Sequence, residues 1–320
     1  MSLPNKEKYK ALCECETSIP LYLQYWWMET VCMDKNWDVL LYTDNGEITA
    51  AMPFLFGKKL WFRYILQPQL TQYTGIWYKP QAFRTENDRL SYEKKVVNCF
   101  LDELKPLKIS YFQQNFSPQF TNWLPFYWKG FSQTTRYTCQ IQDISDLDSV
   151  FGNFDVKERQ KKIRKTEGRY TTVLDITPSE FYDFHQKYWK ARGQKDKVSE
   201  KFVVNLCTKA IERGNGMIVG LADAAGKKVA MRFVVFDEKS ACTLLSARLL
   251  DAENGVTELL FWRVLQMLSG KTKIFDFEGS MDEGIEYSYR CYGARQVPYF
   301  QITKCNSRLF GLLLKIKTKK

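Results

Sequence analysis

Two segments of the chain share one pattern of apolar and polar positions. In each segment an apolar run ends at an aspartate, a turn glycine follows, and the next apolar run contains Ala-Met-x-Phe. The first copy has its turn at Gly46 and the motif from Ala51, and the second has Gly226 and Ala230. An Asp-to-Gly turn between apolar runs favours a β-hairpin. The sequence therefore predicts the same hairpin twice.

The likeness between the two halves continues in the same order. In each half an amphipathic helix leads into an apolar strand, and a turn glycine then precedes one more strand. The helices are predicted at about 91–104 and 256–268, the strands at 108–113 and 273–278, and the glycines are Gly130 and Gly293. Matches that keep the same order indicate a tandem duplication of one α/β unit.

The order of elements predicts the fold class, which is α/β with mixed, twisted sheets and helices on both faces. Hairpins supply antiparallel neighbours, and helix crossovers supply parallel ones. We expect a first domain at 1–142 and a second at 143–304, with 305–320 packing back on the first. The plan resembles two tandem GNAT-type (acyl-CoA N-acyltransferase-like) domains. The ending Tyr127-Trp-Lys-Gly130-Phe131 is similar to the last helix and strand of that superfamily.

Composition removes several kinds of catalysis. The 320 residues include one histidine and nine scattered cysteines, and no C-x-x-C pair is present. A zinc site needs clustered thiolates or imidazoles, and hydrolytic triads need a histidine beside the nucleophile. We therefore expect no metal and reduced cysteines. His185 lies in an aromatic helical stretch, where a packed histidine is the expected role.

The ends of the chain and its charge bear on location and partners. The first ten residues lack the apolar segment of a secretory signal, and no apolar run approaches the roughly 18 residues that span a bilayer. We expect a cytoplasmic protein. The net charge of +11 favours an anionic partner, such as nucleic acid, a nucleotide or a phospholipid surface. The basic tail from Leu309 to Lys320 could rest on a membrane or pack as a last element.

A basic helical segment opens the second copy. Seven basic residues oppose three acidic ones between Asp155 and Arg169. Such a segment is either a solvated helix face or a binding strip for phosphates, whether of a tRNA backbone or of a diphosphate group. The predicted donor-binding and phosphate-binding residues are Lys157, Lys161, Lys162, Arg164 and Lys165.

The catalytic candidates are Asp276, Glu278 and Arg290. The two carboxylates lie where an apolar strand ends, and ligands of α/β sheets bind beyond the carboxyl ends of strands. Glu278 could deprotonate an amine, while Asp276 could share that role or cap the following loop. Arg290 lies among Tyr287, Tyr289 and Tyr292, where it could stabilise an oxyanion or stack on the rings.

Together these segments resemble the Fem-type (FemABX) aminoacyl and peptidyl transferases over nearly the whole chain. The matching segments are Lys35-Asn-Trp37, the hairpin from Gly46 to Met52, the basic segment 157–165, the phrase Ile274-Phe-Asp276-Phe-Glu-Gly279, and the closing helix around Arg290. The resemblance implies that a catalytic lysine of the family falls at Arg290, which keeps the charge and changes the geometry. The acceptor-binding residues expected on this basis are Lys35, Trp37, Arg192, Tyr289 and Tyr292.

The resemblance also implies a reaction. An acceptor amine, such as that of a peptidoglycan-precursor peptide, would attack an activated acyl group, with aminoacyl-tRNA as the expected donor. The acceptor would be anionic or nucleotide-linked, and the chemistry needs no covalent enzyme intermediate, metal or cofactor. The chain departs from the family pattern at Leu244–Ser246, where known members carry tyrosines.

Two other functions remain open. A CoA-dependent N-acyltransferase would hold pyrophosphate in a Q/R-x-x-G-x-G/A loop. The corresponding stretch, 246–255, has one glycine and two acidic residues, which argues against acyl-CoA as the donor. A non-catalytic protein that binds nucleic acid or a membrane surface is the third reading, and it rests on the net charge and the tail.

Overall fold

The computed structural model describes residues 3–33 and 35–317. Residues 318–320 of the basic tail lie outside the described residues. The chain forms two compact units, which we call unit 1 (Met1–Arg136 with Pro298–Lys320) and unit 2 (Tyr137–Val297). Both units mix helices with parallel and antiparallel strands, so the predicted α/β fold class is confirmed.

Unit 1 begins with helices and continues into a hairpin-rich sheet. Its elements are α1 (Leu3–Cys15), α2 (Tyr25–Cys32), β1 (Trp37–Asp44), β2 (Glu47–Lys59), β3 (Phe62–Leu66), β4 (Trp77–Tyr78), α3 (Glu86–Leu104), β5 (Tyr111–Asn115), α4 (Leu124–Tyr127) and β6 (Ser132–Ile141), the last of which continues into unit 2.

The strand pairing of unit 1 follows from its turns. β2 pairs antiparallel with β1, β3 and β4, and β3 lies parallel to β5. The β1–β2 turn has positive φ at Asn45 (48°) and Gly46 (85°), the combination that a tight I′ hairpin requires. Thr85 starts α3 with a reciprocal capping box to Asp88, and α3 then buries Val96, Val97 and Phe100 against the sheet.

Unit 2 repeats this order with more helix. Its elements are α5 (Leu147–Gly152), a π turn (Val156–Gln160), α6 (Lys161–Thr166), β7 (Thr171–Val173), α7 (Pro178–Ala191), α8 (Glu200–Glu212), β8 (Gly216–Ala222), β9 (Lys228–Phe236), β10 (Ser240–Arg248), α9 (Val256–Leu268), β11 (Ile274–Asp276), α10 (Glu283–Arg290) and β12 (Arg295–Cys305), which continues into unit 1.

The strands of unit 2 are hydrogen-bonded in the order β7, β8, β9, β10, β11 and then the end of β6. Only the β10–β11 pair in this series is parallel, because α9 crosses over between them. Gly226 lies in the β8–β9 turn with a φ of 79°, so the two predicted hairpins occupy equivalent places in the two copies. α9 is buried along most of its length, with Leu259, Phe261 and Leu265 in the core of unit 2.

The chain returns to unit 1 through the end of β12. Residues 301–305 pair antiparallel with β5, and a final helix, α11 (Arg308–Lys317), follows. Phe310 of α11 packs against the rings of Phe62 and Tyr111, with centroid distances of 5.1 and 5.4 Å. Among the described residues, no helix has the length and apolar composition needed to cross a membrane.

Candidate active site

A cavity in unit 2 lies where β11 ends beside the middle of β10. The two strands are parallel and paired from Ser240↔Ile274 to Cys242↔Asp276, and the pairing stops there. Beyond that point lies a cavity of about 410 Å³. Its polar lining residues are Arg232, Thr243, Ser246, Glu278 and Tyr289. Ligands of α/β sheets bind at such a position, so this cavity is the candidate active site.

Asp276, the last residue of β11, is buried and anchors the wall of the cavity. One carboxylate oxygen accepts hydrogen bonds from the Thr138 hydroxyl and from the backbone N–H of Glu278. The other oxygen accepts one from the Gln140 amide at 2.7 Å. A buried carboxylate with these donors is well satisfied, which fits a positioning role. The predicted catalytic role of Asp276 stays a prediction.

Glu278 lines the cavity and has an unusual backbone. Its φ is +60°, and that of the next residue, Gly279, is +57°. A side chain at Gly279 would collide with the carbonyl oxygen of Tyr137, so only glycine fits there. Non-glycine residues in this left-handed region are costly, and they concentrate at functional sites. The Glu278 carboxylate thus lines the cavity from a backbone conformation that is unfavourable for a non-glycine residue.

Arg232, in the middle of β9, supplies the positive charge of the cavity. Its guanidinium makes long contacts with the Thr243 hydroxyl (3.5 Å) and the Thr257 carbonyl (3.4 Å), and it lies 5.3 Å from the Phe261 ring centroid. Its Nε is buried and has no hydrogen-bond partner among the described residues. Burial lowers the pKa of this guanidinium, although the phenols of Tyr292 and Tyr289 and the carboxylate of Glu258 favour its charge. The hydrogen bonds of Arg232 are therefore few and long.

Tyr289 adds a phenol to the same cavity. Its ring stacks on Phe277 with a centroid distance of 4.6 Å. Burial raises the pKa of Tyr289, and the nearby charge of Arg232 acts in the opposite direction. The phenol therefore keeps its proton at neutral pH and is a hydrogen-bond donor beside the two charged side chains.

Arg290 and Tyr292, which were also predicted from the sequence, do not line this cavity. The Arg290 side chain is 64% exposed and forms an ion pair with Glu286 at 3.4 Å. Tyr292 is buried in the core of unit 2, with its ring against Phe154 and Phe261. Their predicted roles in catalysis and acceptor binding stay predictions.

The other predicted acceptor residues lie in different places. Lys35 is exposed, and Trp37 is buried in unit 1 with its indole N–H bonded to Glu29 at 2.9 Å. Arg192 follows α7 in unit 2 and is exposed, and its guanidinium donates to the Tyr188 hydroxyl at 2.7 Å. The structure does not bring Arg192 into the lining of the cavity.

The predicted phosphate-binding residues divide into two groups. Lys157, Lys161, Arg164 and Lys165 are exposed. Lys162 is partly buried, and its ammonium pairs with Glu158 at 2.9 Å and with Glu258 at 3.7 Å. The π turn changes the helical spacing that the sequence suggested, because it holds more residues per turn than an α-helix. Among the exposed residues, Lys165 approaches Glu253 at 3.5 Å.

The equivalent position in unit 1 holds a set of hydrogen-bonded polar side chains. β3 and β5 are its parallel pair, and these side chains lie at or after the carboxyl ends of the two strands. The Gln67 amide oxygen accepts from the Asn115 N–H and from the Thr74 hydroxyl, both at 3.0 Å. The Asn115 amide donates to the Gln72 carbonyl at 3.1 Å. The two copies therefore carry different polar residues at this position.

His185 is held as a structural residue. It is buried, its Nδ1 lies 2.7 Å from the Asp196 carboxylate, and its Nε2 accepts from the Trp189 indole at 3.2 Å. This pair of contacts fixes the neutral tautomer that carries its proton on Nδ1. No group of three or more Cys, His, Asp or Glu side chains that could hold a metal occurs within the described ranges.

Sequence reasoning missed Arg232. The signal was a single arginine inside the otherwise apolar run from Val229 to Phe236. A charged residue at such a position must find a partner or face a cavity. That rule could have singled out Arg232, since the sequence predicts that this run is a strand of the second hairpin.

The fold is that of a tandem GNAT-type α/β protein. Similar solved structures agree. FemX superposes with a TM-score of 0.69 at 12% identity, covering 94% of this chain and 96% of FemX. L-PGS from Bacillus licheniformis superposes with a TM-score of 0.61 at 15% identity, covering 98% of this chain and 96% of L-PGS.

A tandem GNAT protein from the clavulanic acid biosynthesis pathway gives a TM-score of 0.54 at 10% identity, covering 94% of each chain. No protein-family model matches the sequence, and no curated protein matches it either. At such identities the likeness establishes the fold, and the resemblance to the Fem-type and tandem GNAT fold is confirmed.

Proposed function

We propose that this protein is an acyltransferase that moves an acyl group from an activated donor to an amine acceptor in the cavity of unit 2. One observation carries the proposal. The cavity of about 410 Å³ beside the end of β11 is lined by the half-buried Arg232, by Glu278 on its left-handed backbone and by the protonated phenol of Tyr289.

The roles follow from the charges that acyl transfer develops. The acceptor nitrogen attacks the acyl carbon, and the carbonyl oxygen becomes negative. Arg232 and Tyr289 would donate hydrogen bonds to that oxygen, which is the kind of stabilisation that contributes most to such reactions. Glu278 would take the proton that the amine loses as the new amide bond forms. The donor's ester oxygen leaves with its electron pair and takes up the proton that Glu278 received, so the carboxylate is regenerated.

Aminoacyl-tRNA is the donor that we favour over acyl-CoA. A CoA pyrophosphate would need the free N-terminus of α9. α6 covers that end of α9. A Cβ atom added at Gly255, which precedes α9, would lie 2.8 Å from the Lys162 carbonyl oxygen of α6. The first turn of α9 also carries Glu258, which is already paired with Arg159 and Lys162.

The exposed basic residues of the π turn and α6 form the surface that we propose for binding the donor. Lys157, Lys161, Arg164 and Lys165 follow one another along the segment that covers α9, and exposed cations of this kind bind phosphate backbones. We propose that they contact tRNA. The acceptor would be an anionic amine, such as a nucleotide-linked peptidoglycan-precursor peptide, and the site of action would be the cytoplasm.

A transfer assay tests the proposal. The purified protein would be incubated with radiolabelled aminoacyl-tRNA prepared from a total tRNA pool, or with labelled acetyl-CoA, and with nucleotide-linked peptides that carry a free amine. We expect label to move from tRNA to the acceptor and not from CoA. Transfer from CoA alone would establish the alternative N-acyltransferase. Binding of tRNA without transfer to any amine would favour a non-catalytic protein.

Point variants connect the assay to the cavity. Glu278→Gln and Arg232→Met keep the approximate size of each side chain and remove the base or the charge. We expect both to lose transfer while still binding tRNA. The matched control is Lys227→Gln, a change at an exposed residue of the β8–β9 turn, which should leave transfer unchanged. Full activity in the two cavity variants would remove the site from the proposal.

A further inference from the structure

One edge of unit 1 gathers the ends of several strands. β2 ends at Lys59, and β3 begins beside it at Phe62. Tyr111, the first residue of β5, pairs with Tyr64 of β3 and with Cys305 at the end of β12. The β2–β3 turn, the start of β5 and the start of α11 therefore lie on the same side of this sheet. We call this surface the basic edge.

Large apolar side chains are exposed along the basic edge. Leu60 and Trp61, at the tip of the β2–β3 turn, are each 68% exposed. Leu309 and Leu312 of α11 are 51% and 57% exposed. Phe310 packs on Phe62 and Tyr111, and this contact fixes α11 next to the turn. Such a group of exposed apolar residues marks an interaction surface.

Lysines surround an apolar cavity on the same edge. The cavity has a volume of about 460 Å³. Its apolar lining consists of Leu101, Leu104, Ile109, Phe112 and Phe131. Four lysines belong to its lining, Lys105, Lys108, Lys129 and Lys304, and the Lys304 ammonium donates to the Lys129 carbonyl at 2.6 Å. The acidic residue in the lining, Asp102, pairs with Lys105 at 2.7 Å and offsets one of the four charges.

Further positive charge lies beside the turn and the helix. Lys58 and Lys59 are exposed at the end of β2, and Arg308 is exposed at the start of α11. Cations that surround exposed leucine and tryptophan side chains match the interface of an anionic bilayer. There, apolar side chains enter the headgroup region while Lys and Arg contact lipid phosphates. Each basic residue near such a surface strengthens binding by about fivefold.

We infer that the basic edge of unit 1 docks onto anionic phospholipid bilayers. Leu60, Trp61, Leu309 and Leu312 enter the interface, and the lysines around the cavity contact lipid phosphates. Nucleic acid fits this surface less well, because single strands stack on aromatic rings and gain nothing from exposed leucines. The inference does not depend on the proposed acyl transfer, since every residue that it uses belongs to unit 1.

Vesicle sedimentation tests the inference. The full chain would be spun with sucrose-loaded vesicles of phosphatidylcholine alone or of phosphatidylcholine and phosphatidylglycerol in equal amounts. We expect binding to the anionic vesicles and at least tenfold weaker binding to the neutral ones. Binding should also weaken as salt rises, because the electrostatic part is screened.

Two double variants separate the apolar contribution to vesicle binding from the electrostatic contribution. Leu60→Asn with Trp61→Ser removes apolar area, and asparagine tolerates the positive φ of 55° at residue 60. Lys105→Glu with Lys108→Glu reverses two charges. Each pair should reduce binding to anionic vesicles by more than tenfold.

The matched controls lie in unit 2. Leu250→Ser removes an exposed leucine, and Lys227→Glu with Lys271→Glu makes the same change in net charge. Circular dichroism melting of every variant checks that it is folded. Wild-type binding by folded edge variants, or equal loss in the unit 2 controls, would overturn the inference. Preferential binding of tRNA through the basic edge, without binding to vesicles, would also overturn it.

Discussion

The Asp276 carboxylate accepts a hydrogen bond of 2.8 Å from the backbone N–H of Glu278. A buried carboxylate thus holds the residue that carries a second carboxylate into the cavity. This bond spans two residues, so it acts directly on the turn in which Glu278 has a positive φ. In the reaction that we propose, Asp276 positions the turn and Glu278 takes the proton.

Glu278 offers a test in which stability and activity separate. Glu278→Gly removes the carboxylate and relieves the positive φ, so the free energy of unfolding should stay within about 1 kcal/mol of wild type. Transfer activity should fall by on the order of 10²–10⁴, the range expected for loss of a general base. Urea denaturation and the transfer assay on the same preparations measure both quantities. Retained activity in the glycine variant would show that another group takes the proton.

Arg232 and Arg290 are the two candidates for stabilising the oxyanion. Arg232 lines the cavity, whereas the Arg290 side chain is 64% exposed and paired with Glu286. We expect Arg232→Ala to lose on the order of 10²–10³ in turnover, the typical effect of removing one such donor. Arg290→Ala should lose less than about tenfold, because an exposed ion pair contributes little.

The measurement for the two arginines is turnover per folded molecule, with the folded fraction taken from circular dichroism. Arg232→Lys should recover part of the activity, since it restores the charge without the planar fork. If the larger loss occurs in the folded Arg290→Ala protein, the residue predicted from the sequence is the catalytic one.

Tyr292 should make the protein sensitive to alkali. Burial raises the pKa of Tyr292 from 10.0 to about 12, against the opposing charges of Arg159 and Arg232. Below pH 10 the phenol is protonated in both the folded and the unfolded state. Between pH 10 and pH 12 the unfolded chain loses the proton first, so stability falls as pH rises. This group should cost about 2–3 kcal/mol across that window.

The pH test compares Tyr292→Phe with wild type by urea unfolding at pH 9 and at pH 11.5. The phenylalanine keeps the ring contacts with Phe154 and Phe261 and has no proton to lose. Its stability should therefore fall less steeply than that of wild type. Equal slopes would show that the Tyr292 phenol titrates as it does in the unfolded chain.

His185 should matter for stability and not for chemistry. His185→Ala would remove the ring contacts of the Asp196 carboxylate and of the Trp189 indole N–H, while Asp196 keeps the hydrogen bonds from Gln186 and from the Val198 N–H. Loss of a partner for a buried polar group costs about 1–3 kcal/mol. The melting temperature should drop, and activity per folded molecule should remain at the wild-type level. A stable variant without activity would give the histidine a part in the reaction.

The sequence predicted the fold from features that act locally. The Asp-to-Gly turns at Gly46 and Gly226 form hairpins in both copies. The helix from Val256 to Leu268 has the predicted bounds. In each case the residues that decide the structure are neighbours in the chain, so pattern alone could identify them.

The site depends on contacts that no local pattern reports. Thr138 and Gln140 hold Asp276 from more than a hundred residues away along the chain. In the sequence Arg232 is only a charged residue within a predicted strand. Its place in the cavity lining depends on where the pairing of β10 and β11 stops. Likewise, the hydrogen bonds that join Gln67 to Thr74 and to Asn115 in unit 1 follow no local pattern, and the second of them links residues 48 positions apart.

The return of β12 to unit 1 has a consequence for synthesis on the ribosome. β5 obtains one of its neighbouring strands from residues 301–305, which are translated long after residues 111–115. Until they emerge, the nascent first half carries an unpaired strand edge and an incomplete apolar core that includes Ile302. Ribosome profiling of chaperone contacts should find this segment occupied until residues 301–305 have emerged from the ribosome. A messenger RNA that stops before residue 298 would yield a polypeptide that aggregates.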